Sequence, residues 1–170
     1  MINKEAFKAK EPVVISNHIQ YRYNENVLGD RAEVYRTSIM KEYNFPEIKD
    51  ERFLSEAIVW NKIAYKYDTV YIDKDIYECE YLEDGLTSNS VRLRVNNPKG
   101  AMLNYQIMMQ KPFNLKLRIK YSILYNTFSK FAKVSFKETL KNGNRFLLAV
   151  TKPIGDIVYL RWKKHLIKGD

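Results

Sequence analysis

Leu117-Arg-Ile-Lys-Tyr121-Ser-Ile-Leu124-Tyr-Asn-Thr-Phe128-Ser-Lys-Phe131 is the stretch that decides the broad class of this fold. Leu117, Tyr121, Leu124, Phe128 and Phe131 recur at steps of four and three. On a helix of about 3.6 residues per turn, all five fall on one apolar stripe. Lys116, Lys120, Lys130 and Lys133 stand off that stripe, so the spacing predicts an amphipathic helix with a basic outer side. A break at Asn142-Gly143-Asn144 separates it from the apolar run Phe146 to Val150. Pro153 and Gly155 are expected to interrupt the pattern. Ile157 to Ile167 resumes it, with Arg161, Lys163, Lys164 and Lys168 on the opposite face.

Upstream, Gly29-Asp30 reads as a turn, with Asp30 placed to cap a helix and Glu33 completing a capping box. Ala32, Tyr35, Ile39 and Met40 predict that helix over about Arg31 to Tyr43. Asn44-Phe45-Pro46-Glu47 ends it, because the residue before a proline avoids helical geometry. A second helix is expected from about Glu51 to Tyr67, with Phe53, Leu54, Ala57, Ile58, Trp60, Ile63, Ala64 and Tyr67 forming its apolar face. Val13-Val14-Ile15 is strand-like, and Tyr21 to Asn26 reads as loop. Thr69 to Tyr81 alternates with period two around a polar break, which predicts a short β-hairpin. Leu82 to Asn89 is loop. The expected class is therefore α/β to α-rich.

At 170 residues the chain has the length of one compact domain, with 45% hydrophobic and 29% charged residues, so it is neither disordered nor low-complexity. The net charge of +9 is unevenly spread. Residues 1–90 carry 12 basic against 17 acidic side chains, and residues 91–170 carry 17 against 3. A strongly basic second half calls for an anionic partner. Three readings compete there: a solvated face over a packed core, a membrane-surface helix, and a nucleic-acid surface. Trp162, Phe113, Phe128, Phe131 and Phe146 among many lysines favour the membrane surface. The low share of arginine and the lack of a reader motif disfavour nucleic acid. No window supplies the roughly 18 apolar residues a spanning helix needs, and the sequence predicts no leader peptide. A lone cysteine, Cys79, forms neither an internal disulfide nor a thiolate zinc cluster.

Few residues carry chemistry on spacing alone. Asp73-Lys74-Asp75 matches Asp-x-Asp, which can hold a divalent ion against a diphosphate, but the same letters make an ordinary solvated turn. Asp50-Glu51 followed by Glu56 is a carboxylate cluster at an expected helix start. Exposed backbone N–H groups there stabilise carboxylates, and one of the carboxylates is also a candidate general base. His18 and His165 lie in unlike contexts. No zinc spacing, Ser-His-Asp set, Walker loop or Gly-x-Gly-x-x-Gly occurs.

One ordered set of segments is more specific. Gly29-Asp-Arg-Ala-Glu-Val-Tyr-Arg-Thr37 is followed by Phe45-Pro-Glu47, Asp50-Glu-Arg-Phe53, Glu56-Ala-Ile-Val-Trp-Asn61 and Tyr77-Glu-Cys-Glu-Tyr-Leu-Glu-Asp-Gly-Leu-Thr87. In order and spacing this resembles the acceptor-side half of bacterial family 2 glycosyltransferases with the GT-A fold, over about residues 20 to 160. The resemblance implies a partial GT-A fold, with residues 1–90 as acceptor-side portion and residues 91–170 as a basic amphipathic helical tail. It implies transfer of a sugar from a nucleotide sugar to a hydroxyl of a glycan or lipid-linked acceptor in surface-polysaccharide synthesis. The family's nucleotide-sugar site, with its divalent metal (Mg or Mn) and metal-binding Asp-x-Asp, lies in an N-terminal half with no counterpart here. Asp73-Lys74-Asp75 falls in the later hairpin, where the family keeps no metal site. No metal or cofactor is expected in this chain, which would be inactive alone.

By the same resemblance the catalytic base is Glu51 or Asp50, and Asp30, Trp60 and Tyr35 face the acceptor. The tail would rest on the cytoplasmic face of an anionic membrane, with a separate donor half or a second copy as partner. The competing expectation is a non-enzymatic membrane-surface or interaction module.

Overall fold

The computed structural model describes residues 8–76 and 90–168. It is mixed α/β and 56% helical, so the α/β-to-α-rich class holds at that coarse level. β1 (Val13–Asn17) leads into a π-helix (Ile19–Asn24), followed by α1 (Thr37–Met40), α2 (Ala57–Ala64) and β2 (Asp68–Ile72). Five helices complete the order: α3 (Ser90–Asn96), α4 (Pro98–Met108), α5 (Leu115–Phe131), α6 (Phe136–Lys141) and α7 (Arg145–Lys168).

The stripe on α5 is where its spacing puts it. Tyr121 and Phe128 are buried, and Leu117, Leu124 and Phe131 pack against the same cluster. Asn114 caps the helix, its side chain accepting from the Leu117 backbone N–H at 3.0 Å. α4 and α7 flank α5. One core joins Ile19 and Ala64 to Ala101, Tyr105, Met109, Phe113, Tyr125 and Leu148, across the expected boundary at residue 90.

Several boundaries differ from expectation. Residues 31–36 are not helical, and only Thr37–Met40 forms a turn of helix, with Arg36 rather than Asp30 at its N-cap. The second helix starts at Ala57 rather than near Glu51. The reason lies in where the preceding amides go: Arg52 and Phe53 donate to the Asn97 side chain at 2.7 and 3.1 Å. Asp50 has φ 68°, the left-handed region, which a helix interior does not accept. Tyr21 to Asn24 belongs to the π-helix instead of a loop, with the Glu25 N–H donating to the Gln20 carbonyl at 2.9 Å.

β2 is a strand, but its described partner is β1, antiparallel from Val13↔Ile72 to Asn17↔Asp68. The expected second hairpin strand lies mostly outside the described residues, as does Cys79. Val13, Ile15, Val70 and Ile72 stand opposite one another and are all exposed, so one sheet face is uncovered apolar surface. Finally, α7 runs through Pro153 and Gly155 without a break. Gly155 is buried against α5, where its missing side chain lets the two backbones approach.

Candidate functional site

The segment 29–36 shows an inverted burial pattern. Arg31, Glu33 and Tyr35 are half-buried, while Ala32, Val34 and Arg36 are exposed, Val34 at 88%. A structural strand of this composition would hide its apolar residues. Here the charged and aromatic residues turn inward, and inward-facing polar groups are the informative departure from ordinary packing.

Tyr35 meets Trp60 there, the rings stacked with centroids 6.2 Å apart and planes 17° from parallel. Trp60 is held in place by α2, which buries Ile58, Val59, Asn61, Ile63 and Ala64. Glu56 occupies the N-cap position of α2 and makes no capping hydrogen bond through its side chain. It precedes Trp60 by four residues, so both project from neighbouring positions at the start of the helix. Burial raises the Glu33 pKa, against the pull of Arg22 and Arg31, and the Glu56 carboxylate adds to the rise. Burial, then the charge of Glu33, raises the Tyr35 hydroxyl as well.

Basic groups line the other side of this cluster. Arg31 Nη2 donates to the Val27 carbonyl at 3.0 Å, and the guanidinium lies 5.4 Å from the Tyr71 ring centre. Arg22, on the π-helix, lies 5.9 Å from the Tyr23 ring centre. His18 is buried, and its Nδ1 shares a 3.1 Å hydrogen bond with the Tyr71 hydroxyl. Burial, then the charges of Arg22 and Arg31, pushes its pKa down to about 4, so the ring is neutral near pH 7. Glu33, the Arg22 and Arg31 guanidiniums, the neutral His18 ring and the stacked aromatic pair thus gather from the π-helix with its N-cap, residues 29–36 and α2, and the exposed Glu56 stands at the edge just before α2.

Of the expected site residues, Tyr35 and Trp60 come together. Asp30 is exposed at an isolated bridge position. Glu51 is not at the start of α2 but serves the N-terminus of α4. Its Oε1 accepts from Lys99 N–H at 2.7 Å and its Oε2 from Gly100 N–H at 2.6 Å. It also lines a half-open cleft of about 380 Å³ with Pro46, Ile48, Arg52, Phe53 and Leu54. Asp50 is exposed beside it. Asp73 and Asp75 are exposed, and no group of three or more His, Cys, Asp or Glu able to hold a metal ion gathers among the described residues. Asp73 and Asp75 therefore do not make a divalent-ion site.

Sequence reasoning missed Arg22, Glu33 and His18 as site residues. The available signal was Arg31-Ala-Glu-Val-Tyr35, a charged-or-aromatic and apolar alternation hidden inside an apparent helical period. Comparison of the chain with protein-family models, curated proteins and solved structures returns no match.

Proposed function

We propose that this chain is the acceptor-side portion of a family 2-like glycosyltransferase with a partial GT-A fold, acting in surface-polysaccharide synthesis. The observation that carries the proposal is the Tyr35–Trp60 stack beside Glu33 and Glu56. Flat aromatic faces suit the C–H faces of a sugar, and a carboxylate at their edge suits one of its hydroxyls. Glu56 is the carboxylate we assign as base, with Glu33 beside it. It stands at the start of the helix that carries Trp60, and its side chain is not committed to capping. Glu51, with Asp50 next to it, supports the fold there, because both Glu51 oxygens are already engaged.

In the step proposed, the acceptor hydroxyl oxygen bonds to the anomeric carbon of a donor held outside this chain. The sugar–phosphate bond breaks, the nucleoside diphosphate leaves with the bonding electrons, and the hydroxyl proton passes to Glu56. The uncovered apolar face of β1 and β2 supports a further segment or chain docking there, as a donor half would.

The test is carbohydrate binding followed through Trp60 in a Trp162→Phe background, using a panel of mono- and oligosaccharides. Saturable quenching that falls at least tenfold in affinity on Tyr35→Ala is expected. Absence of any sugar-dependent change in the Trp60 indole would sink the reading.

A further inference from the structure

We propose that the outward face of α7 lies flat on an anionic lipid bilayer. The helix has two apolar sides; α5 packs against one of them, and α6 also touches the helix. Leu147, Leu148, Thr151 and Gly155 are buried on the side that faces α5. On the opposite side Phe146 is 75% exposed, Val150 60%, Ile154 49%, Ile157 65% and Leu160 63%. Steps of four, four, three and three place these five on a single stripe about 120° wide at roughly 100° per residue. Five large apolar side chains in line exceed the scattered exposure normal for a protein surface.

The charges beside the stripe and on its C-terminal end, where Arg161 and Lys164 share its face, choose its occupant. Arg145, Arg161, Lys163 and Lys164 are all exposed on the same helix. The acid on its described residues, Asp156, is bound to Lys130 and Lys152. A second copy docked on this face would set these cations against their own kind. A nucleic acid would answer the cations and leave the apolar stripe in water. An anionic bilayer answers both: acyl chains take the stripe, headgroups take the cations, and the long stems of Arg161 and Lys164 let their charges reach the headgroup layer. No described helix is long and apolar enough to cross a membrane, so the contact is one of lying on the surface.

The inference rests on α7 alone and is independent of the carbohydrate reading. It is tested with the full chain and sedimenting vesicles of phosphatidylcholine, with and without 30% phosphatidylglycerol. The expected result is partition at least tenfold stronger onto the anionic vesicles and weakening as salt rises. Phe146→Ser with Ile157→Ser should cut binding at least tenfold while leaving the circular dichroism unchanged, because both side chains are solvent-facing. Equal binding by that variant overturns the proposal. So does a concentration-dependent dimer that the double variant abolishes without any vesicle binding, or retention on DNA or RNA in place of vesicles.

Discussion

Glu51 and Gly100 are joined by a 2.6 Å hydrogen bond in which the carboxylate Oε2 accepts from the backbone N–H. With Oε1 on Lys99, the side chain satisfies two of the orphan donors at the start of α4, where Pro98 opens the helix. A negative charge at a helix N-terminus also meets the favourable end of its dipole. Glu51→Ala should therefore lower stability by about 1–2 kcal/mol in a denaturant titration. Unchanged stability would mean the cap is dispensable. If sugar binding is also lost, the melting curve separates misfolding from a direct role.

Gly155 sets up a contest between two known magnitudes. Alanine in a helix interior is favoured over glycine by about 1 kcal/mol. Yet a Cβ here would sit 2.6 Å from Asn126 Cβ and 3.1 Å from the Ile123 carbonyl, and the Thr127 hydroxyl donates to the Gly155 carbonyl at 3.2 Å. Separating α5 from α7 costs about 1–3 kcal/mol, as overpacking usually does. The clash is expected to win, and Gly155→Ala should melt below the parent. A higher melting point would show that the crossing has slack.

His18 makes stability depend on pH on the acid side. Its folded pKa of about 4 lies below the usual 6.5, so above pH 6.5 the ring is neutral folded or unfolded and its full contribution is present. Between pH 6.5 and 4 the unfolded chain takes up a proton that the folded chain refuses, and stability is lost as pH falls. The full span is worth on the order of 3 kcal/mol. Glu33 works in the opposite sense, since its raised pKa makes the folded chain the tighter proton binder just above its usual range. Unfolding free energies measured at pH 7, 6, 5 and 4 should fall steadily, and His18→Asn should flatten the slope. An unflattened slope would place the acid sensitivity elsewhere.

What the sequence reveals about this fold depends on whether neighbours along the chain decide the outcome. The α5 stripe was legible because Leu117 through Phe131 need only their own spacing and one partner surface. The helix expected over 31–43 was not, because the inward placement of Arg31, Glu33 and Tyr35 is fixed by Trp60 and the π-helix. Glu51 looked like the start of a helix, as it is, but of α4 nearly fifty residues on rather than α2. Likewise, nothing local tells that Pro153 is tolerated. Its solvent-facing position and the grip of α5 on Gly155 and Leu148 carry the helix through. Within the candidate site, Tyr35 and Trp60 were named only through the family resemblance, whereas the burial of His18 and the approach of Arg22 come entirely from the tertiary fold.

The shared core also fixes the order in which the chain can assemble. The β1–β2 ladder joins Val13 to Ile72, so its closure organises about 50 intervening residues and carries the entropy of that loop. Ile19, next to β1, is buried in a cluster that draws Met109, Phe113, Tyr121 and Phe128 from the second half of the chain. A ribosome that has released residues 1–100 therefore holds the sheet and the Tyr21–Tyr71 ring contact without most of that core, and productive collapse waits for α5. Pulling force on a nascent chain should stay low until α5 has cleared the exit tunnel and then rise in one step. An early force peak, before Leu115 emerges, would mean the first hundred residues reach a folded state without that core.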